Sequence, residues 1–212
     1  MVRLYIDLET YRPEKEDAFV NEKVILTGIL ADETPYSEAS LETKVKPVLI
    51  RECEGIDEKT IVKRLHDYIK EALDTHRFTV ICGFNILRFD IPLSLCKSVQ
   101  YSLGKHEVNN KMWHDCFVID YFQGLLVANN YRFKGLKLEN IMNVAKNLGL
   151  KPPSIGKNGE AVKDLYEHGR WEEIEKHNEQ DLNAVRWLDL FGAKRLIEIS
   201  LREKKPLFWE QE

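Results

Sequence analysis

Three short acidic segments carry the residue types that metal-assisted hydrolysis requires. The first, Asp7-Leu8-Glu9, closes a run from Val2 that alternates and then turns apolar. Residues two apart on a strand project from one face, so these carboxylates emerge side by side as a pair suited to a cation. The second, Asn85-Ile86-Leu87-Arg88-Phe89-Asp90, lies between the apolar run Cys82-Gly83-Phe84 and a helix start marked by Pro92. Asp90 can N-cap that helix, and it also stands just beyond a strand's carboxyl end, where α/β proteins gather ligands. The third is His177-Asn178-Glu179-Gln180-Asp181. On a helix, positions four apart lie about 5–6 Å from each other on one face, so His177 and Asp181 can share a cleft. Each segment alone has an ordinary reading as a solvated strand end, a helix cap or a polar surface turn.

The surrounding pattern predicts elements that would position these groups. Strands are expected over Val2–Glu9, Lys23–Ala31 and Lys46–Arg51, in an order that suggests an antiparallel start to a sheet. Ile61, Leu65, Ile69 and Leu73 recur every fourth position, which marks an amphipathic helix from Asp57 to His76. Thr79–Phe84 reads as a buried parallel strand, Asp90–Leu103 as a helix ending before Gly104, and Cys116–Ile119 as another strand. A helix over Leu138–Leu148 is stopped by Gly149 and Pro152, and Pro152–Gly159 reads as a surface loop. Helices over Ala161–His168 and Trp171–Ile199 and a charged tail complete the chain. Strands first, then alternating strand and helix, predict an α/β fold with a central mixed sheet flanked by helices.

In combination, the segments resemble the DEDD, or DnaQ-like, 3′-to-5′ exonucleases of the ribonuclease-H-like three-layer fold. The exonuclease domains of family B DNA polymerases and their stand-alone relatives are the nearest of these. Tyr5-Ile6-Asp7-Leu8-Glu9-Thr10 looks like the first motif, Gly83-Phe84-Asn85 with Phe89-Asp90 like the second, and Trp171 through Asp181 like the third. Val118-Ile119-Asp120 and the helix ending in Leu148-Gly149-Leu150 are similar to intervening family elements, so the resemblance spans nearly the whole chain. It implies one exonuclease domain over residues 1–212, with 191–212 as a charged C-terminal helix and tail. It also implies that Asp7, Glu9, Asp90 and Asp181 bind metal. There is one departure: His177 stands four residues before Asp181, the family's tyrosine spacing, while Lys176 occupies the family's histidine spacing. Some stand-alone relatives share a histidine at the tyrosine spacing.

Four converging carboxylates would each cost about 4 kcal/mol per close pair at a surface-like dielectric, so cations must fill such a site. Hard oxygen ligands with room for water suit two Mg²⁺ or Mn²⁺ ions about 3.5–4 Å apart, which clamp the attacking and leaving oxygens of phosphodiester hydrolysis. His177, with an ordinary pKa near neutrality, is the candidate that deprotonates or orients the attacking water. Thr10, Asn85 and Phe89 are expected to hold the strand end by hydrogen bonding and stacking. The expected partner is single-stranded DNA at its 3′ end, in repair or end processing. A ribonuclease, a structure-specific endonuclease and a catalytically silent nucleic-acid-binding protein are the alternatives.

A net charge of -4 provides no global basic footprint, so a polyanion must be gripped locally. Lys134, Lys137, Lys194 and Arg195 could supply a phosphate patch, or could be ordinary solvated charges. Cys53, Cys82, Cys96 and Cys116 form no Cys-x-x-Cys pair and are expected as free, mostly buried thiols of a cytoplasmic protein. No apolar run is long enough to span a membrane. Leu207-Phe208-Trp209 could pack on the domain or on a second subunit, which leaves a homo-oligomer open.

Overall fold

The alternating runs near the amino terminus form β1 (Val2–Tyr11), β2 (Lys23–Asp32) and β3 (Val48–Arg51). The computed structural model describes residues 1–14, 19, 21–53, 55–155 and 161–208. These strands pair antiparallel, as their order suggests. The fully buried run becomes β4 (Thr79–Gly83), parallel to β1, and β5 (Phe117–Asp120) adds parallel to β4. The sheet order is β3-β2-β1-β4-β5, so β1 is central and must bury both of its faces.

Period-two alternation assigns those faces. Val2, Leu4, Ile6 and Leu8 join a core with Ile61, Leu65 and Ile69 of α1 (Glu58–Thr75), the helix that Asp57 caps by accepting from the Thr60 N–H at 2.8 Å. The odd face carries Arg3, Tyr5, Asp7 and Glu9. Tyr5 there enters a second core, with Phe122 of α4 (Tyr121–Gly124), Ile141 of α5 (Leu138–Asn147) and Leu182 and Val185 of α7 (Trp171–Trp187). On the α1 face lie α2 (Asp90–Gln100) and α3 (His106–Asp115), while α6 (Ala161–Glu167) packs with α7 on the other. The result is a helix–sheet–helix sandwich around a mixed five-stranded sheet.

Glycine lets α7 lie against the sheet. Gly28 of β2 pairs with Asp7, and a Cβ added there would stand 1.7 Å from Asn178 Oδ1 and 2.8 Å from Leu182 Cδ1. Any side chain at Gly28 would push the helix away from the strand that carries Asp7 and Glu9.

Several expectations need correction. α3 is absent from the sequence reading because His106–Asp115 has little apolar periodicity: only Asn109 and Trp113 are buried, and no side chain caps the helix. The single helix expected over Trp171–Ile199 is interrupted by a π-helical turn at Leu188–Gly192 before α8 (Ala193–Glu203). Within that turn Asp189 is drawn to the hydroxyls of Tyr5, Tyr36 and Tyr121, and Gly192 fits against Trp187, whose ring an added Cβ would meet at 2.1 Å. The four cysteines form no disulfide, but only Cys82 and Cys116 are buried; Cys53 and Cys96 are exposed. Phe208 packs on its own domain, 1% exposed. Trp209 and residues 156–159 of the expected loop lie outside the described residues. Among the described residues no helix is long and apolar enough to cross a membrane.

Candidate functional site

Asp7, Glu9, Thr10, Asn85, Phe89, His177 and Asp181 meet around one cleft of about 400 Å³ at the carboxyl end of β1. Strand β1 presents Asp7 and Glu9 on its odd face, and a register shift between Glu9 and Thr10 breaks the ladder with β2 at the rim. Helix α7 crosses above them and presents His177 and Asp181, one turn apart, as the i, i+4 spacing requires.

Asp90 is placed differently. It is the first residue of α2, only 6% exposed, and it does not line the cleft. Its Oδ1 accepts the Leu8 N–H at 3.0 Å, which ties α2 to the strand between the two β1 acids. Asp90 therefore stands directly behind the cleft wall, close enough for its charge to act on Asp7.

The electrostatics are those of crowded, poorly compensated acids. Burial first, then Glu9, Asp181 and Asp90, hold the Asp7 carboxyl well above the usual carboxylate range, while the Asn178 amide opposes the rise. Burial pushes Asp90 up to about 7 despite backbone N–H donors. It does the same for Asp181, also to about 7, with Glu9 adding and His177 opposing. His177 Nδ1 lies 3.2 Å from Glu9 Oε1 and 3.7 Å from Asp181 Oδ2. The Glu9 carboxylate chiefly raises the imidazole to about 9, so the near-neutral value expected for it is corrected: with these neighbours it is charged at neutral pH.

Among the described residues, no lysine or arginine pairs with any of the four carboxylates. Lys137 lines the cleft without an ion pair to them. Glu9 Oε1 and Asp181 Oδ1 are buried and accept no hydrogen bond. Such oxygens, hard and negatively charged, fit a divalent cation. The acids do not by themselves close on one point, for among the described residues no three His, Cys, Asp or Glu side chains form a ready metal cage.

Two positioning residues escaped sequence reasoning. Asn178 Nδ2 donates to Asp7 Oδ2 at 2.7 Å and to the Asp7 carbonyl at 3.2 Å, pinning α7 to the strand. Asp120, at the end of β5, accepts from the N–H groups of Asn85 at 2.8 Å, Leu87 at 3.1 Å and Phe122 at 2.9 Å. It thereby holds the loop between β4 and α2, in which Asn85 adopts a left-handed φ of 65° and leaves its buried Oδ1 unpartnered. The sequence marks Asp120 through the family-like run Val118-Ile119-Asp120 and as an aspartate at a strand end before a short helix, but neither signal reveals what it holds. Thr10 donates its hydroxyl to Glu22 at 2.6 Å, and Phe89 packs edge-on to Phe19 at 5.3 Å. Of the basic residues, Arg195 is taken up by Glu198 at 2.7 Å, and Lys194 is exposed with it on α8.

No protein-family model and no curated protein matches the sequence. The fold has solved counterparts. The family B DNA polymerase of the archaeon Pyrobaculum calidifontis is similar over 98% of this chain and 26% of its own, with a TM-score of 0.59 and 17% identity. E. coli exonuclease I bound to a dT13 oligonucleotide is similar over 93% of this chain and 43% of its own, with a TM-score of 0.51 and 14% identity. A zinc-bound complex of the same exonuclease with single-stranded DNA gives 0.50 at 13% identity, over 93% of this chain and 42% of that one. The chain thus spans less than half the length of these proteins, and at such identities the likeness is one of fold. That fold is α/β and ribonuclease-H-like, with helices on both faces of a mixed five-stranded sheet.

Proposed function

We propose that this chain is a metal-dependent 3′-to-5′ exonuclease acting on single-stranded DNA, in repair or end trimming. The observation that carries the reading is the gathering of Asp7, Glu9 and Asp181 in one cleft, with Asp90 behind it and, among the described residues, without a lysine or arginine partner. Four acids set against a single imidazolium cost stability, which a function that needs the negative field would explain.

Asp7, Glu9, Asp90 and Asp181 would hold two Mg²⁺ or Mn²⁺ ions, which supply the charge that activates water and stabilises the departing oxygen. To do so, Glu9 and Asp181 must turn oxygens from His177 toward the ions. Asn178 keeps Asp7 aimed into the cleft meanwhile. His177, between Glu9 and Asp181, would orient the attacking water and, once Glu9 relaxes its hold on the imidazole, take its proton. The free Oδ1 of Asn85 accepts a hydrogen bond from the terminal nucleotide, and the Phe89 and Thr10 side chains bound the space it enters.

The test is digestion of 5′-labelled single-stranded DNA, duplex DNA and RNA, with and without Mg²⁺ or Mn²⁺. A metal-dependent ladder shortening from the 3′ end of the single strand is expected. Asp181→Ala should remove it, and His177→Ala should slow turnover by about 10²–10⁴-fold while metal binding persists. Cleavage unaffected by Asp181→Ala, or independent of metal, overturns the reading. Unchanged turnover in His177→Ala would take that residue out of the mechanism.

A further inference from the structure

Beyond the acids, the cleft continues into an aromatic surface that no step above uses. Phe122, on its floor, stacks on Phe133 with ring centroids 5.9 Å apart and an interplanar angle of 17°. The Arg88 guanidinium stands 5.4 Å from each of these two ring centroids. Phe122 is 7% exposed, yet Phe133 is 60% exposed and its neighbour Tyr131 73%. Among the described residues no carboxylate pairs with Arg88.

This surface is held in place by buried chemistry. Asn129, fully buried, donates from Nδ2 to the carbonyls of Arg132 at 2.7 Å and Lys134 at 3.0 Å. Its Oδ1 accepts the Phe208 N–H at 3.1 Å, and the Leu207 N–H donates to the Ala128 carbonyl at 3.0 Å, so the C-terminal segment clamps the loop. Asn130 and Tyr131 both adopt left-handed φ values, 50° and 59°, which side chains disfavour. The exposed Phe133 ring, stacked on the buried Phe122 and carried by a loop that a buried amide fastens, points to a ligand that covers it.

We propose that Arg88, Phe122 and Phe133 form a stacking platform for an unpaired base of single-stranded DNA leading into the acid cleft, with Arg88 contacting its phosphate. This rests on the exonuclease reading for the direction of the strand. The outer face of Phe133 continues the Phe122–Phe133 stack, and a base laid on it extends a parallel pile. Arg88 supplies a planar cation, with no carboxylate partner among the described residues, beside a cleft where Lys137 is the lysine on the lining and a polyanion needs more. A duplex end, with its bases already stacked, gains nothing from the platform.

The test is fluorescence anisotropy of 5′-fluorescein oligo(dT) in Ca²⁺, on wild type, Phe133→Ala, Phe133→Trp and Arg88→Ala. Phe133→Ala should weaken binding about tenfold, the size of one stacked base, and Phe133→Trp should retain it. Arg88→Ala should weaken binding and flatten its dependence on salt. Binding of a blunt duplex should be indifferent to Phe133. Equal affinity of Phe133→Ala and wild type, or no binding of oligo(dT) by wild type, overturns the platform. Because the assay needs no turnover, Phe133-dependent binding by a chain that cleaves nothing would uphold the platform and refute the nuclease reading.

Discussion

At its amino end β1 buries Arg3, and on the same face, toward its carboxyl end, it carries Asp7 and Glu9; the two ends treat their charge in opposite ways. Around Arg3 the acids have cations or hydroxyl donors within reach, although Arg3 Nη1 and Nη2 make no hydrogen bond. The guanidinium, fully buried, pairs with Asp32 at 3.2 Å and Asp189 at 3.7 Å, and lies over the Tyr36 ring at 4.2 Å. Arg186 from α7 pairs with Asp32 at 3.0 Å, and three tyrosine hydroxyls donate to Asp189. Around Asp7 and Glu9 the neighbours are further acids, with His177 as the compensating group. Burial alone therefore does not mark a functional acid. Buried acids matched by guanidinium groups hold helix to sheet, whereas among the described residues the cleft acids have a single imidazolium to set against them.

The contrast can be broken at either end. Arg3→Met should cost the most, about 3–5 kcal/mol, because it leaves the buried Asp32 with Arg186 as its remaining cation and Asp189 with tyrosine hydroxyls alone. Chemical denaturation measures this; a loss under 1 kcal/mol would mean the network contributes little. Next comes the response to metal. At a hundredfold its dissociation constant, Mg²⁺ should raise unfolding free energy by about 2.7 kcal/mol, through the cleft alone. That gain should vanish in Asp181→Asn and persist in variants of the Arg3 network.

A smaller effect belongs to the buried His66. His66 lies on the far face, its Nε2 2.7 Å from the Ser94 hydroxyl, and burial lowers it from its ordinary 6.5 to about 4. The unfolded chain binds this proton near pH 6.5 and the folded chain only near 4. Stability from His66 is thus complete above 6.5 and drains as pH falls toward 4, by about 1.4 kcal/mol per pH unit. Subtracting the stability–pH curve of His66→Gln from that of wild type should reveal this slope, and a flat difference refutes it. Smallest is Asp181→Asn itself without metal. Relief of repulsion among the acids should leave the protein as stable or about 1 kcal/mol more so at pH 7, while the Arg3→Met loss has the opposite sign. A fall in melting temperature would show that Asp181 contributes to the fold.

Much of the architecture follows from local pattern. The 3.6-residue period of α1, the continuous apolar run of β4 and the alternation of β1 each reflect one-sided or two-sided burial that any chain must satisfy. The acid positions were legible for the same reason: i, i+2 on a strand and i, i+4 on a helix place side chains together before any tertiary contact exists. The π-turn at Leu188–Gly192 left no such trace, since its cause is an aspartate meeting tyrosines from three distant segments. Helix α3 was missed because a helix that buries only two of its residues has no period to read.

Sequence by itself determined the order of elements, the faces of β1 and the pairing of Asp7 with Glu9 and of His177 with Asp181, all consequences of backbone periodicity. Tertiary structure alone decided that α7 could sit over Gly28, that Asn178 would grip Asp7, and that Asp90 would stand behind the cleft wall with the Leu8 N–H. It also decided that His177 would be charged, because a pKa belongs to the neighbours a fold assembles and not to the residue that carries it.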